Sequence, residues 1–162
     1  MFTMRRFIVS VVCVALSASL ASAAESTLTA DLDVHKIEPV DAVVVLRSIA
    51  SVERAVVVDD DTVRVWGDES RIAIARAVAD LLEQPIDGSK VSVQLADGTT
   101  AAIAVLRHAS AGDVLKALRA KLGIRRVATI ATDDSSSILV RDSSEQAQEA
   151  LKLIAQIDGE GS

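Results

Sequence analysis

Asp31, Asp33 and His35 stand at i, i+2 and i+4 in a stretch whose alternate positions are Leu28, Ala30, Leu32 and Val34. The two-residue period of a strand would set the two carboxylates and the imidazole in a row on one face. Such a row of oxygen and nitrogen donors can hold a divalent metal. No fourth ligand and no outer partner for the imidazole can be named, so the wet face of a half-buried strand is the preferred reading, and no metal or other cofactor is expected. Asp59, Asp60 and Asp61 lack the glycine and the distal glutamate of a calcium loop, and they suit a tight reversal. Ser135, Ser136 and Ser137 have neither a Gly-x-Ser-x-Gly frame nor a histidine partner, so they are read as a loop. His35 and His108 each precede a helical pattern and are read as equivalent points of a repeat. No catalytic residue is assigned and no enzyme is expected.

Charge and aromatic content narrow the field further. The chain has 162 residues and a net charge of −6. An uncharged apolar run from Phe7 to Leu20 follows Arg5 and Arg6 and leads to Ala21, Ser22 and Ala23, the pattern of a secretory signal peptide over 1–23. The run is shorter than the roughly 20 residues a membrane-spanning helix needs, so the expectation is cleavage, no stable membrane span afterwards, and a periplasmic mature protein. Arg5 and Arg6 are two of the 17 basic residues and all 23 acidic residues lie beyond the signal, so 15 against 23 leave the mature chain near −8. Such a surface repels phosphate backbones and anionic lipid. Phe2 and Phe7 fall in the signal and there is no tyrosine, which leaves Trp66 as the single mature aromatic residue. Stacking platforms for bases are missing, and no nucleic-acid partner is expected. Cys13 also falls in the signal, so stability must come from an aliphatic core.

Periodicity supplies the elements. Leu28 to Val34 alternate as a strand. Pro39 opens a helix in which Ala42, Val45, Leu46 and Ile49 form one stripe. Ala55 to Val58 and Val63 to Trp66 are strands about the acidic turn. Asp68 starts a helix carrying Ile74, Ala77, Val78, Leu81 and Leu82, which Pro85 stops. Residues 86–89 read as a linker. Val91, Val93 and Leu95 alternate up to Asp97-Gly98, a hairpin signal, and Thr100 to Leu106 return. Ser110 begins a helix with Val114, Ala117, Leu118 and Leu122, ended by Gly123. Val127 to Ala131 and Ile138 to Val140 are strands, and Ser143 to Gln146 read as a capping box for the last helix.

The halves superpose: Asp41, Leu46 and Arg47 recur as Asp113, Leu118 and Arg119 at a shift of 72, and both close with Ile-Asp-Gly, at 86–88 and 157–159. The expected fold class is therefore α+β, as two tandem β-α-β-β-α units, each a small mixed sheet with two helices on one face. The first spans 27–87 and the second 90–159, the latter with an extra N-terminal hairpin strand. Trp66 is read as a cap on the aliphatic core, with a binding anchor as the alternative.

Asp-Ala-Val-Val-Val-Leu-Arg-Ser-Ile at 41–49, Asp-Val-Leu-Lys-Ala-Leu-Arg at 113–119, the strand pairs about acidic turns, and the helix ends Leu-Leu-Glu-Gln-Pro-Ile-Asp at 81–87 and Leu-Ile-Ala-Gln-Ile-Asp at 153–158 together resemble the periplasmic N-terminal domains of bacterial secretins. The resemblance implies two tandem copies without the pore-forming domain. It implies a non-enzymatic interaction or assembly module with protein partners in the cell envelope, secretion or pilus components among them, and it leaves a homo-oligomer open. The alternative is a stand-alone envelope sensor or small-ligand-binding protein, which a dry pocket between the units would favour. Docking is expected along a strand edge, Leu28 to His35 or Val91 to Leu95, with Leu32, Trp66 and Val93 as the contact candidates.

Overall fold

The computed structural model describes residues 27–84, 90–131 and 135–160. The expected signal over 1–23, Pro85, the linker over 86–89 and the turn residues Asp133 and Asp134 lie outside them. The elements run β1 (Leu28–Asp33), α1 (Pro39–Val45) with a π-helical continuation (Leu46–Ala50), β2 (Arg54–Val57), β3 (Thr62–Gly67) and α2 (Glu69–Glu83), then β4 (Val91–Gln94), β5 (Thr100–Leu106), α3 (Ala111–Leu122), β6 (Val127–Ala131), β7 (Ser136–Asp142) and α4 (Ser144–Glu160).

Local chemistry accounts for the boundaries. Pro39 takes the first turn of α1, where a missing N–H is harmless. The Asp68 carboxylate accepts the Arg71 N–H at 2.8 Å and starts α2, and the Ser110 hydroxyl accepts the Asp113 N–H at 3.2 Å and starts α3. Gly123 ends α3 at φ 67°, a left-handed conformation that costs glycine little. Gly98, at φ 80°, makes the β4–β5 reversal for the same reason. At α4 the capping box is only half made. The Ser143 hydroxyl accepts the Gln146 N–H at 3.3 Å, but the Ser143 N–H goes to Asp142 Oδ1 at 2.8 Å, and Gln146 Oε1 is buried with no hydrogen-bond partner among the described residues. Ser136 and Ser137, expected in a loop, belong to β7, paired with Leu106 and Val105. Cross-strand pairing there outweighs the turn preference of serine.

The α+β class is observed, as two antiparallel sheets with four helices. The first sheet has the order β1-β3-β2 and the second β4-β5-β7-β6. Every pairing is antiparallel, where small mixed sheets were expected. In each half the strand after the turn inserts between the two strands joined through the helix, so those two, which run parallel, never touch.

Burial alternates along β3 and through the buried positions of β1, is nearly continuous along β5 and β7, and so fixes the layers. Ala30, Leu32, Ala55, Val63 and Val65 of the first sheet pack under α1 and α2, together with Ala42, Val45, Leu46, Ile49, Ile74, Val78 and Leu81. The same core continues into the second sheet through Leu95, Ala101, Ile103, Ala128, Ile130 and Leu139. The opposite face of that sheet, with Ala102, Ala104, Leu106, Val127, Ile138 and Val140, packs on Val114 and Leu118 of α3 and on Ala147, Ala150, Leu153 and Ile154 of α4. The order of layers is thus sheet, helices, sheet, helices. Among the described residues, one face of the first sheet is uncovered, while helices pack on both faces of the second.

A buried arginine closes the seam between the units. Arg141 of β7, 4% exposed, donates from Nη1 to the Ile49 carbonyl at 2.5 Å, from Nε to Thr99 Oγ1 at 2.9 Å and from Nη2 to Asp97 Oδ2 at 2.5 Å. Ile49 lies in the π-helical turn that ends at Ser51, a non-glycine residue at φ 57°. A helix end leaves carbonyls without internal partners, and here a side chain 92 residues further along the chain supplies one of the missing donors. Burial by itself would raise the Asp97 pKa. The Thr99 hydroxyl and N–H and the Arg141 guanidinium outweigh that and hold it at about 2, against 3.8 for the free group. A depressed carboxylate stabilises the fold at pH values above its unfolded pKa, and the stabilisation is lost as pH falls through the folded value. Acid titration is therefore expected to remove about 1 kcal/mol between pH 4 and 2, after allowance for the solvent-exposed part of Asp97. Urea midpoints of wild type and Asp97→Asn should converge over that window; a gap that stays constant down to pH 2 would contradict the assignment.

Candidate protein-interaction site

The three candidate ligands of the first strand are not brought together. Asp31 is held by Arg64 of β3 through two hydrogen bonds, Nε to Oδ1 at 2.6 Å and Nη2 to Oδ2 at 2.8 Å. That bidentate hydrogen bond holds the Asp31 pKa below the usual carboxylate range. Asp33 is exposed at the end of β1, and His35 lies beyond the strand, with Nδ1 3.8 Å from Asp61 Oδ1. The row breaks because β1 stops two residues before the histidine. His35 opens instead onto a cleft of about 470 Å³ formed with Lys36, Ile37, Glu38, Asp60, Asp61 and Ala131, among others. Among the described residues no group of three or more His, Cys, Asp and Glu side chains could hold a metal ion.

The interaction candidates fall in three different environments. Leu32 is 5% exposed and belongs to the core, so its side chain offers nothing to a partner. The Val34 N–H donates to the Asp61 carbonyl at 2.7 Å. In an antiparallel pair the groups that face the neighbour alternate, so the backbone groups of Leu32 also face β3 and those of Thr29, Asp31 and Asp33 face outward. Proline at Leu32 would break ladder and core together and could not separate docking from folding. Val93 is half-buried against the first core, and it shares the parity of Leu95, whose N–H donates to the Thr99 carbonyl at 2.7 Å. Trp66 is not a core cap. It stands on the open face of the first sheet, half-buried, with the Arg54 guanidinium 4.9 Å from its ring centroid. Val63 and Val65 take the inner positions of β3, so Trp66, one residue on, must face out.

That open face carries Thr29, Asp31 and Asp33 of β1, Thr62, Arg64 and Trp66 of β3, and Arg54 and Val56 of β2. Four strands, β1, β2, β4 and β6, lie at sheet edges. α1, which contacts both β2 and β6, exposes Val40 and Val44 by 65% and 53%, one helical turn apart. β2 ends on exposed Val57 and is followed by exposed Val58. Single exposed valines are ordinary, but here they accompany strand edges that no other described strand pairs, the feature natural proteins otherwise blunt with charge.

One device repeats between the units and was missed in the sequence. Glu83, in the last turn of α2, accepts the N–H groups of His35 and Lys36 at 2.7 and 3.2 Å, while Lys36 Nζ reaches the Glu83 carbonyl. Asp158, near the end of α4, accepts those of Arg107, His108 and Ala109, with Oδ1 at 2.9, 2.8 and 2.9 Å. In both units an acid at the end of the second helix ties down the segment that enters the first. His35 and His108 are alike in that the backbone N–H of each is held by an acid, Glu83 and Asp158. The Ile-Asp-Gly ending was the available signal for Asp158; in the first unit Glu83 makes a tie, and Asp87 lies outside the described residues. Burial tends to raise the Asp158 pKa, but its three N–H donors hold it lowered. Asp158→Asn is expected to cost about 1–2 kcal/mol, because the acceptor loses its charge while the donors remain. Hydrogen exchange at His108 and Ala109 should accelerate with it, and unchanged exchange would mean the tie is dispensable.

The seam between the units is filled by aliphatic side chains of both. None of the described helices is long and apolar enough to cross a membrane. Residues 103–162, from within β5 through α4, match the family model of the bacterial type II/III secretion system short domain. Among curated proteins no match to the chain is found.

Proposed function

We propose that the chain is a non-enzymatic periplasmic interaction module of a bacterial secretion system, in which two tandem short domains act as one rigid body. The family match over 103–162 carries this reading. Domains of that family are non-catalytic, and in secretion systems they are periplasmic. The proposal extends the match to the first unit, 27–87, because β1-β3-β2 repeats the strand order β5-β7-β6 and the acidic tie of Asp158 has a counterpart in Glu83. The signal-peptide pattern expected over 1–23 would fit export to the same compartment.

The partners are secretion or pilus components of the envelope, and a homo-oligomer belongs to the same proposal. The free strand edges and the open face of the first sheet are the surfaces available to them. Affinity capture with the tagged mature chain from envelope extracts of the source bacterium should enrich secretion or pilus components over a tag-only control. Enrichment of none would reject the proposal. Sedimentation of the purified chain across concentrations decides the oligomer.

A further inference from the structure

Overall acidity conceals a basic edge. Residues 27–84 hold twelve acidic and six basic residues, whereas 90–160 hold nine of each, and from Val114 to Ala131 there is no acid at all. That stretch contains Arg119, Lys121, Arg125 and Arg126, all exposed, and none of the four makes an ion pair among the described residues. Arg119 and Lys121 lie in the last turn of α3, where a cation complements the helix dipole. Arg125 and Arg126 follow the terminating Gly123 and have no such structural role. Arg119, Gly123, Ile124 and Arg125 line one cleft of about 450 Å³. Gly123, Arg125 and Arg126 line a second of about 270 Å³ with Thr99, Arg141 and Asp142. Of the last two, Arg141 is committed to the seam, and Asp142 accepts the Ser143 N–H and makes no ion pair with the arginines.

The arginines lead into a strand edge that is buried at Val127, exposed at Thr129 and Ala131, and bordered at Ala131 by the cleft that holds Glu38, Asp60 and Asp61. The Arg141 N–H donates to the Arg126 carbonyl at 2.9 Å. By alternation the backbone groups of Ala128 and Ile130 also face β7, and those of Val127, Thr129 and Ala131 face away from it, without a hydrogen-bond partner among the described residues. We infer that this edge binds an extended, carboxylate-bearing segment of a partner protein, which pairs its backbone with β6 while its acids meet Arg125, Arg126 and Arg119. A guanidinium fork suits a carboxylate or a phosphate equally. The neighbouring unpaired backbone favours a peptide, because a phosphate group would have no use for it. The inference rests on the interaction-module reading and adds the chemistry of the partner and its place of docking.

The probe is the capped peptide Glu-Val-Glu-Val-Glu, titrated into the ¹⁵N-labelled mature chain at low salt. Shift changes are expected at Val127, Thr129 and Ala131, with affinity falling as salt rises. Arg125→Glu with Arg126→Glu should weaken binding about tenfold or more, and N-methylation of alternate peptide bonds should weaken it as well. Both arginines are exposed, so the variant should keep the wild-type melting temperature; if it does not, Arg125→Gln with Arg126→Gln takes its place. Equal binding of Lys-Val-Lys-Val-Lys, shift changes confined to β1, β2 or β4, or affinity untouched by the substitutions would overturn the inference. So would displacement of the peptide by inorganic phosphate or by phosphatidylglycerol vesicles, which would mark a phosphate site. If wild type and the Arg125/Arg126 variant capture secretion components equally, the interaction module stands and this docking edge falls. If wild type captures none, the module reading falls, while the peptide titration still decides the edge.

Discussion

Arg141→Met is expected to lower the unfolding free energy of the whole chain by about 3 kcal/mol and to bring the urea midpoint down by about 1–1.5 M. The Ile49 carbonyl loses a charged donor in a place water does not reach, and Asp97 and Thr99 lose the group that neutralises their turn. Methionine restores volume but offers no donor, so the cost is electrostatic rather than a cavity. Arg141→Lys should recover little, because an ammonium on a flexible stem cannot meet three acceptors in the fork geometry of a guanidinium. In a cycle with Asp97→Asn the two losses should be less than additive, since both remove the same contact. The chain carries its own reporter: Trp66 sits in the first unit and Arg141 in the second. If the arginine ties the units, Trp66 fluorescence and far-ultraviolet dichroism shift together in the variant. A Trp66 transition left at the wild-type midpoint would show that the seam does not couple them.

Excision of the second unit as residues 90–162 should give a chain that associates or stays loosely packed, although this is the half that matches a family. Separation would bare Leu95, Ile103, Ile130 and Leu139, all buried in the core shared with α1 and α2. At about 2 kcal/mol for each large aliphatic side chain, the loss is on the order of 8 kcal/mol, comparable with the entire stability of a small domain. Dye binding and self-association in sedimentation are the expected signatures, with poorly dispersed amide spectra. Threonine at Ile103, Ile130 and Leu139 should restore solubility to the fragment and destabilise the intact chain. A monomeric, cooperatively folding 90–162 fragment would refute the shared core.

Most of the local architecture could be read from residue order. The stripes of α1 to α4, the starts at Pro39, Asp68 and Ser110, the stop at Gly123 and the Asp97-Gly98 hairpin all depend on a few consecutive residues, where period and turn chemistry operate. Even the outward position of Trp66 was available, because Val63 and Val65 had already claimed the inner face of β3. What stayed hidden depends on residues far apart. β5 is apolar on both faces, and no pattern along it says that one face meets its own unit and the other a neighbour's helices. Arg141 looks like any surface cation in a strand, and it becomes a buried pin only because β7 is central in its sheet and the π-helical turn presents the Ile49 carbonyl to it. The basic edge at Arg125 and Arg126 was masked because net charge sums over the whole chain, whereas docking is governed by the field over a few ångströms. Order along the chain sets which elements form, since those energies are local. Which surfaces remain free is settled by long-range packing, since burial depends on what arrives from elsewhere.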